Sequence, residues 1–149
     1  MTHSERFQLL HARMNQKHLD PSYRAALYIL SSNDWFTTLA IPHISSEGVD
    51  FTGILDSRLD ERERVLLEFT HNLFSWRTVS PPSPHEVAQL GVEYLDLAVQ
   101  ALYLASGLHT MESGVDWELR VNRARHEKAK RAHLFLDNLA FSVASSGEA

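Results

Sequence analysis

Residues 59–76 read LDERERVLLEFTHNLFSW. Val65, Leu66, Phe69, Leu73 and Trp76 recur at spacings of three and four, which places them on one face of an α-helix of about 3.6 residues per turn. Asp60, Glu61 and Glu63 stand in its first turn, where carboxylates meet the positive end of the helix dipole. The stretch predicts a helix from Leu59 or Asp60 to about Trp76 at the centre of the core. It decides the fold class because the segments on either side repeat its period.

Towards the C-terminus, the run Ser80-Pro81-Pro82-Ser83-Pro84 breaks the helix, and Ser83, Pro84 and Glu86 compose a capping box that opens the next one. From Pro84 to about Ser106, Val87, Leu90, Tyr94, Leu97, Ala101 and Leu104 keep the helical period through Gly91, so one helix is expected, stopped by Gly107. A second set, Leu95, Ala98, Leu102 and Ala105, widens the apolar face as in a helix packed on two sides. Towards the N-terminus, Ser4 is expected to cap a helix running to about His18 through Phe7, Leu10 and Met14. Asp20 and Pro21 open a second helix, through Tyr23, Ala26, Leu27 and Leu30 to near Ser32. Asn33 or Asp34 caps a short turn over Trp35–Leu39 that Pro42 closes.

Residues 41–57, IPHISSEGVDFTGILDS, hold no sustained period and read as an irregular loop with room for a small hairpin. A long last helix is expected from about Asp116 towards Ser142. Its first half, RVNRARHEKAKR at 120–131, carries six basic and one acidic side chain, and its second, AHLFLDNLAFSV at 132–143, is mostly apolar and suited to dock on a core. The expectation is an all-α fold, a compact bundle of about five helices in a single domain spanning 1–149, with 144–149 frayed.

Composition narrows the function classes. At 149 residues with 44% hydrophobic and 22% charged side chains, the chain has the make-up of an ordinary globular domain, not of a disordered or low-complexity segment. The absence of cysteine removes disulfide scaffolds, thiolate metal sites and Cys nucleophiles. The first twenty residues hold no apolar run of the secretory kind, and no apolar stretch approaches the roughly 20 residues that span a bilayer, so a cytoplasmic protein with no membrane contact is expected. The net charge of −5 is unevenly spread: eight Lys/Arg stand against sixteen Asp/Glu over residues 1–119, and six against three over 120–149.

The pattern resembles a family of small bacterial helical proteins catalogued only as a domain of unknown function. The matching segments are Glu5-Arg6-Phe7 with Leu10, Tyr23–Leu30 followed by Asn33-Asp34, Leu67–Trp76, Ser83-Pro84 and Leu95–Leu102, within residues 4–108. The histidine-rich first helix and the basic C-terminal segment depart from it. The resemblance implies a single, mainly helical domain and brings no activity, cofactor or site.

Among residues that carry chemistry, Glu68 and His71 stand at i, i+3 on one helix face, the spacing that di-iron bundles use in pairs. Here it occurs once, and with eleven Glu and nine His one such pair is what chance supplies. His11 with His18 and His126 with His133 lie seven apart, about 10 Å along a helix, too far for two nitrogens to share one ion. No nucleophile elbow, phosphate loop or dinucleotide turn occurs, so no catalytic residue and no cofactor is expected. The reading that remains is a non-catalytic protein-interaction or regulatory module. Its contacts would come through Arg120, Arg123, Lys128 and Arg131, with Trp35 and Phe36 as aromatic anchors, to a protein partner or a second copy through a seam of Val121, Ala132, Leu136, Leu139 and Val143. Two alternatives stand beside it: nucleic-acid association through Arg120–Arg131, and metal binding at Glu68/His71.

Overall fold

A computed structural model describes residues 1–107, the strands at 110–113 and 119–122, and Arg131. The elements run α1 (His3–Met14), α2 (Pro21–Leu30), α3 (Asp34–Ala40), a 3₁₀ turn (Ile41–His43), β1 (Ile44–Ser45), β2 (Gly48–Val49), α4 (Phe51–Leu55), α5 (Glu61–Phe74), α6 (Pro84–Ala88), α7 (Val92–Ala105), β3 (Thr110–Ser113) and β4 (Leu119–Asn122). The fold is mostly helical, with two small antiparallel hairpins, β1–β2 and β3–β4.

Local chemistry accounts for most helix starts. Asp20, Asn33, Asp60 and Ser83 each accept a hydrogen bond from the backbone N–H three residues on, and Glu63 and Glu86 return the bond to complete capping boxes. The first helix starts two residues earlier than its sequence suggests, because Thr2 takes the cap with Glu5 as its reciprocal partner. It also ends earlier, at Asn15, whose left-handed backbone (φ 52°) returns an N–H to Ala12 O.

α2 lies at the centre and packs on α7, α5 and α1. Ala25 to Leu30 are buried without a break, so this helix has no solvent face over its last turns. Its C-terminal carbonyls therefore cannot turn to water, and neighbouring groups supply their donors. Leu27 O accepts from Ser31 N (2.9 Å) and Leu30 O from Thr37 Oγ1 (3.1 Å). Tyr28 O accepts from His3 Nε2 (2.9 Å), which carries the proton in this contact, and from Ser31 Oγ (3.2 Å). Ile29 O accepts from Ser32 Oγ (2.6 Å). Arg6, buried in α1, donates through Nε to Ser31 O (2.7 Å), through Nη2 to Ser32 O (3.0 Å) and through Nη1 to Met1 O, and it pairs with Asp34 at 3.3 Å. One guanidinium thus ties α1, the end of α2 and the start of α3.

Several expectations are corrected. The helix expected from Pro84 to Ser106 is two helices broken at Gly91, whose φ of 85° lies in the left-handed region. Arg62 of α5 reaches across, donates through Nε to Leu90 O (2.9 Å), and leaves so little room that a Cβ on residue 91 would lie 2.6 Å from Nη2. Residues 41–57 hold the small hairpin the sequence left room for, β1–β2, but also a 3₁₀ turn and the short helix α4, with Phe51 and Ile54 buried. Trp76 lies beyond the end of α5 and is 79% exposed; Leu66, Leu67 and Thr70 are the buried residues of α5, and Val65, Phe69 and Leu73 pack half-buried against the core as expected. Leu119–Asn122, expected in the last helix, form a strand paired with Thr110–Ser113, and Val121 belongs to that strand; 116–118, 123–130 and 132–143 lie outside the described residues.

Replacing Arg6 by Met is expected to lower unfolding free energy by about 3 kcal/mol, because the buried carbonyl of Ser31 and the part-buried carbonyls of Ser32 and Met1 lose their donor. Arg6→Lys should recover less than half, since one ammonium cannot reproduce the planar fork. A urea midpoint unchanged in Arg6→Met would refute the account. Gly91→Ala should cost about 1–2 kcal/mol through strain at positive φ and the collision with Arg62, read from the same urea curves.

Candidate functional site

The expected contact residues separate in the structure. Trp35 is 46% exposed on α3, whereas Phe36 is fully buried, its ring 5.9 Å from that of Tyr94; Phe36 is a core residue and no anchor. Arg120 sits in β4 at the register position facing Glu112, and Arg131 is helical and exposed. Arg123 and Lys128 lie outside the described residues.

Glu68 and His71 both lie on α5, half-buried. The ring of His71 stacks on Phe51 (4.9 Å between centroids, 13° between planes), and burial holds its pKa below the ordinary 6.5. Among the described residues no group of three or more His, Asp or Glu side chains is placed to hold a metal ion. The His71 stack belongs to a ring cluster in which Phe51 meets Phe74 and Phe74 meets Tyr23 edge-on. It closes α4 against α5 and α2.

A polar hollow of about 200 Å³ opens at the β1–β2 hairpin, lined by His43, Ser45, Glu47, Gly48, Val49 and Asp50. His43 Nδ1 lies 3.6 Å from an Asp50 oxygen, and Asp50 N donates to His43 O at 2.8 Å. The His43 ring lies directly over the bare Cα of Gly53, so this pair is packed as part of the hairpin closure.

An apolar groove of about 340 Å³ opens between α5, the Pro82 loop, α6 and α7. Leu95, Ala98, Val99 and Leu102 of α7 form one wall at spacings i, i+3, i+4 and i+7. Phe69 and Asn72 of α5 line the floor, and Pro82, Pro84, Val87 and Ala88 the opposite wall. Asn72 Nδ2 donates to Thr78 Oγ1 at 2.8 Å, which steadies the loop leading to the prolines. Leu102 is 47% and Val99 37% exposed, an unusual position for large aliphatic side chains at the centre of an apolar stripe. This is where the second apolar set of α7 goes: only one of the two sides read from the sequence is covered by described residues.

No charged side chain lines the groove; Glu86 of α6 lines a separate hollow of about 270 Å³ with Glu61, Arg62, Val65, His85, Gln89 and Leu90, and accepts from Ser83 N at 3.0 Å. The arginines of α5 turn elsewhere, Arg62 to Leu90 O with its guanidinium over the Tyr94 ring and Arg64 to Leu55 O (3.1 Å). Burial, helped by the charges of Glu63, Asp60 and Glu93, raises the Tyr94 pKa above 10.0, so its hydroxyl stays protonated at neutral pH.

His3 is the buried titratable group on which the helix frame depends. Burial lowers its pKa below 6.5 and the nearby Arg6 charge adds to this, against the opposing bond to Tyr28 O. The folded protein therefore binds fewer protons than the unfolded chain, and stability present above about pH 6.5 is lost as pH falls through the folded pKa. The melting temperature should drop between pH 7.5 and 5.5, and His3→Gln should flatten part of that slope. An identical slope in the variant would remove His3 as its source.

Among the described residues no helix is long and apolar enough to cross a membrane. In comparison with known proteins, no protein-family model, no curated protein and no solved structure matches this chain.

Proposed function

We propose that this protein is a non-catalytic interaction module that takes an apolar segment of a partner protein into the groove between α5, α6 and α7. The observation that carries the reading is the stripe Leu95, Ala98, Val99 and Leu102, in which Val99 and Leu102 are exposed, Leu95 is half-buried and Ala98 is buried beneath them, at a spacing that matches the anchors by which grooves receive an amphipathic helix. The polar side chains examined for chemistry have structural partners instead: His71 is stacked on Phe51, His43 is paired with Asp50, and His3 and Arg6 are bound to carbonyls.

The test is capture from the native host lysate with nuclease present, comparing wild type with Leu102→Asp. One defined protein should be retained by the wild type and reduced at least tenfold by the variant, with the circular dichroism spectrum unchanged. Equal capture by both would overturn the reading.

A further inference from the structure

We infer that His3 and Arg6 form a clasp that acid opens: protonation of His3 frees the first turn of α1, Met1 to Glu5, from the end of α2 while the rest of the fold stays closed. This opening is local, in contrast to the overall loss of stability in acid, and is independent of what the groove binds. His3 and Arg6 stand three residues apart on one face of α1, and both reach the end of α2. The half-buried His3 ring lies against the ring of Tyr28, 4.8 Å between centroids with 40° between planes, and donates through Nε2 to Tyr28 O at 2.9 Å. Because Nε2 already holds a proton, a second one goes to Nδ1. The imidazolium is then withdrawn from water and stands beside the guanidinium of Arg6, a charge of the same sign.

The charged groups on the elements packed against α1 do not offset it. On α2, Arg24 is bound to Leu19 O; on α3, Asp34 pairs with Arg6 at 3.3 Å and its side chain is 79% exposed; β1 carries no ionisable group. On α1 itself the Glu5 carboxylate accepts from Thr2 N at 2.7 Å, and the Met1 ammonium, His11 and Arg13 are bases. The way the acceptors are shared keeps the release local. When His3 leaves, Tyr28 O keeps Ser31 Oγ at 3.2 Å and Arg6 stays on Ser31 O and Ser32 O, so none of these carbonyls is orphaned. Phe7, Leu10 and Met14 hold the following turns in the core. What the opening uncovers is the Tyr28 ring, which is buried in the closed form. A solvated imidazole titrates near 6.5, so at pH 5.5 the open form gains about tenfold over the closed one.

Amide hydrogen exchange of the full chain at pH 7.5 and 5.5, corrected for the intrinsic rate at each pH, tests the clasp. The reporters are the amides of Glu5 and Arg6, which donate to Thr2 Oγ1 and Thr2 O, with those of Leu66 and Leu67 in α5 as reference. Expected at pH 5.5 is about a tenfold loss of protection at Glu5 and Arg6 and none at Leu66 and Leu67. His3→Gln, whose amide still donates to Tyr28 O, should show no such loss. An equal fall at all four amides means that the whole fold loosens and overturns the local clasp. Unchanged protection overturns it too, as does the same fall in His3→Gln, which assigns the effect to another group. Should His3→Gln not fold, the wild type still decides through NMR titration of the His3 ring. A ring that takes up its proton at or above pH 6.5 in the folded protein overturns the inference, since the closed clasp would then hold the imidazolium as well as the open one does.

Discussion

The C-terminal end of α2 lies inside the protein, and the carbonyls released there have no water to turn to. In a surface helix they would be satisfied at no structural expense; here each must be met by a particular group held at the right place. His3 and Arg6 come from α1, Thr37 from α3, and Ser31 and Ser32 from the turn itself. The burial that makes α2 a good core helix therefore dictates where α1 lies and how α3 departs. An unmet buried carbonyl costs about 1–3 kcal/mol, a large fraction of a small domain's stability.

The same demand recurs on a smaller scale. Arg24 donates to Leu19 O, Arg62 to Leu90 O and Arg64 to Leu55 O, so with Arg6 half of the eight basic side chains in residues 1–107 serve backbone carbonyls.

Much of the helix frame was legible because its signals are local. An Asp-Pro pair at 20–21, Asn33 before a short amphipathic run, and the Asp60/Glu63 and Ser83/Glu86 pairs each satisfy orphan N–H groups within three residues. The break at Gly91 was not legible, because a glycine inside a helical pattern is locally tolerable and the group that makes it necessary, Arg62, lies almost thirty residues away. Aromatic residues misled for a related reason. Phe36 and Trp76 each fit an amphipathic pattern, and only the packing of α7 over α3 and the early end of α5 put the first inside and the second outside.

The candidate site was half visible. Leu95, Ala98 and Leu102 stand out in sequence as a second apolar face of α7, which reads equally as core or as contact surface. Hydrophobic periodicity, caps and turn residues act through neighbours in the chain, and by itself the sequence determined a mainly helical chain and most of its helix starts. Tertiary structure decided which apolar faces the described residues cover and which distant backbone carbonyls the arginines bind. Those outcomes depend on groups far apart in sequence arriving at the same place, and no local pattern carries that information.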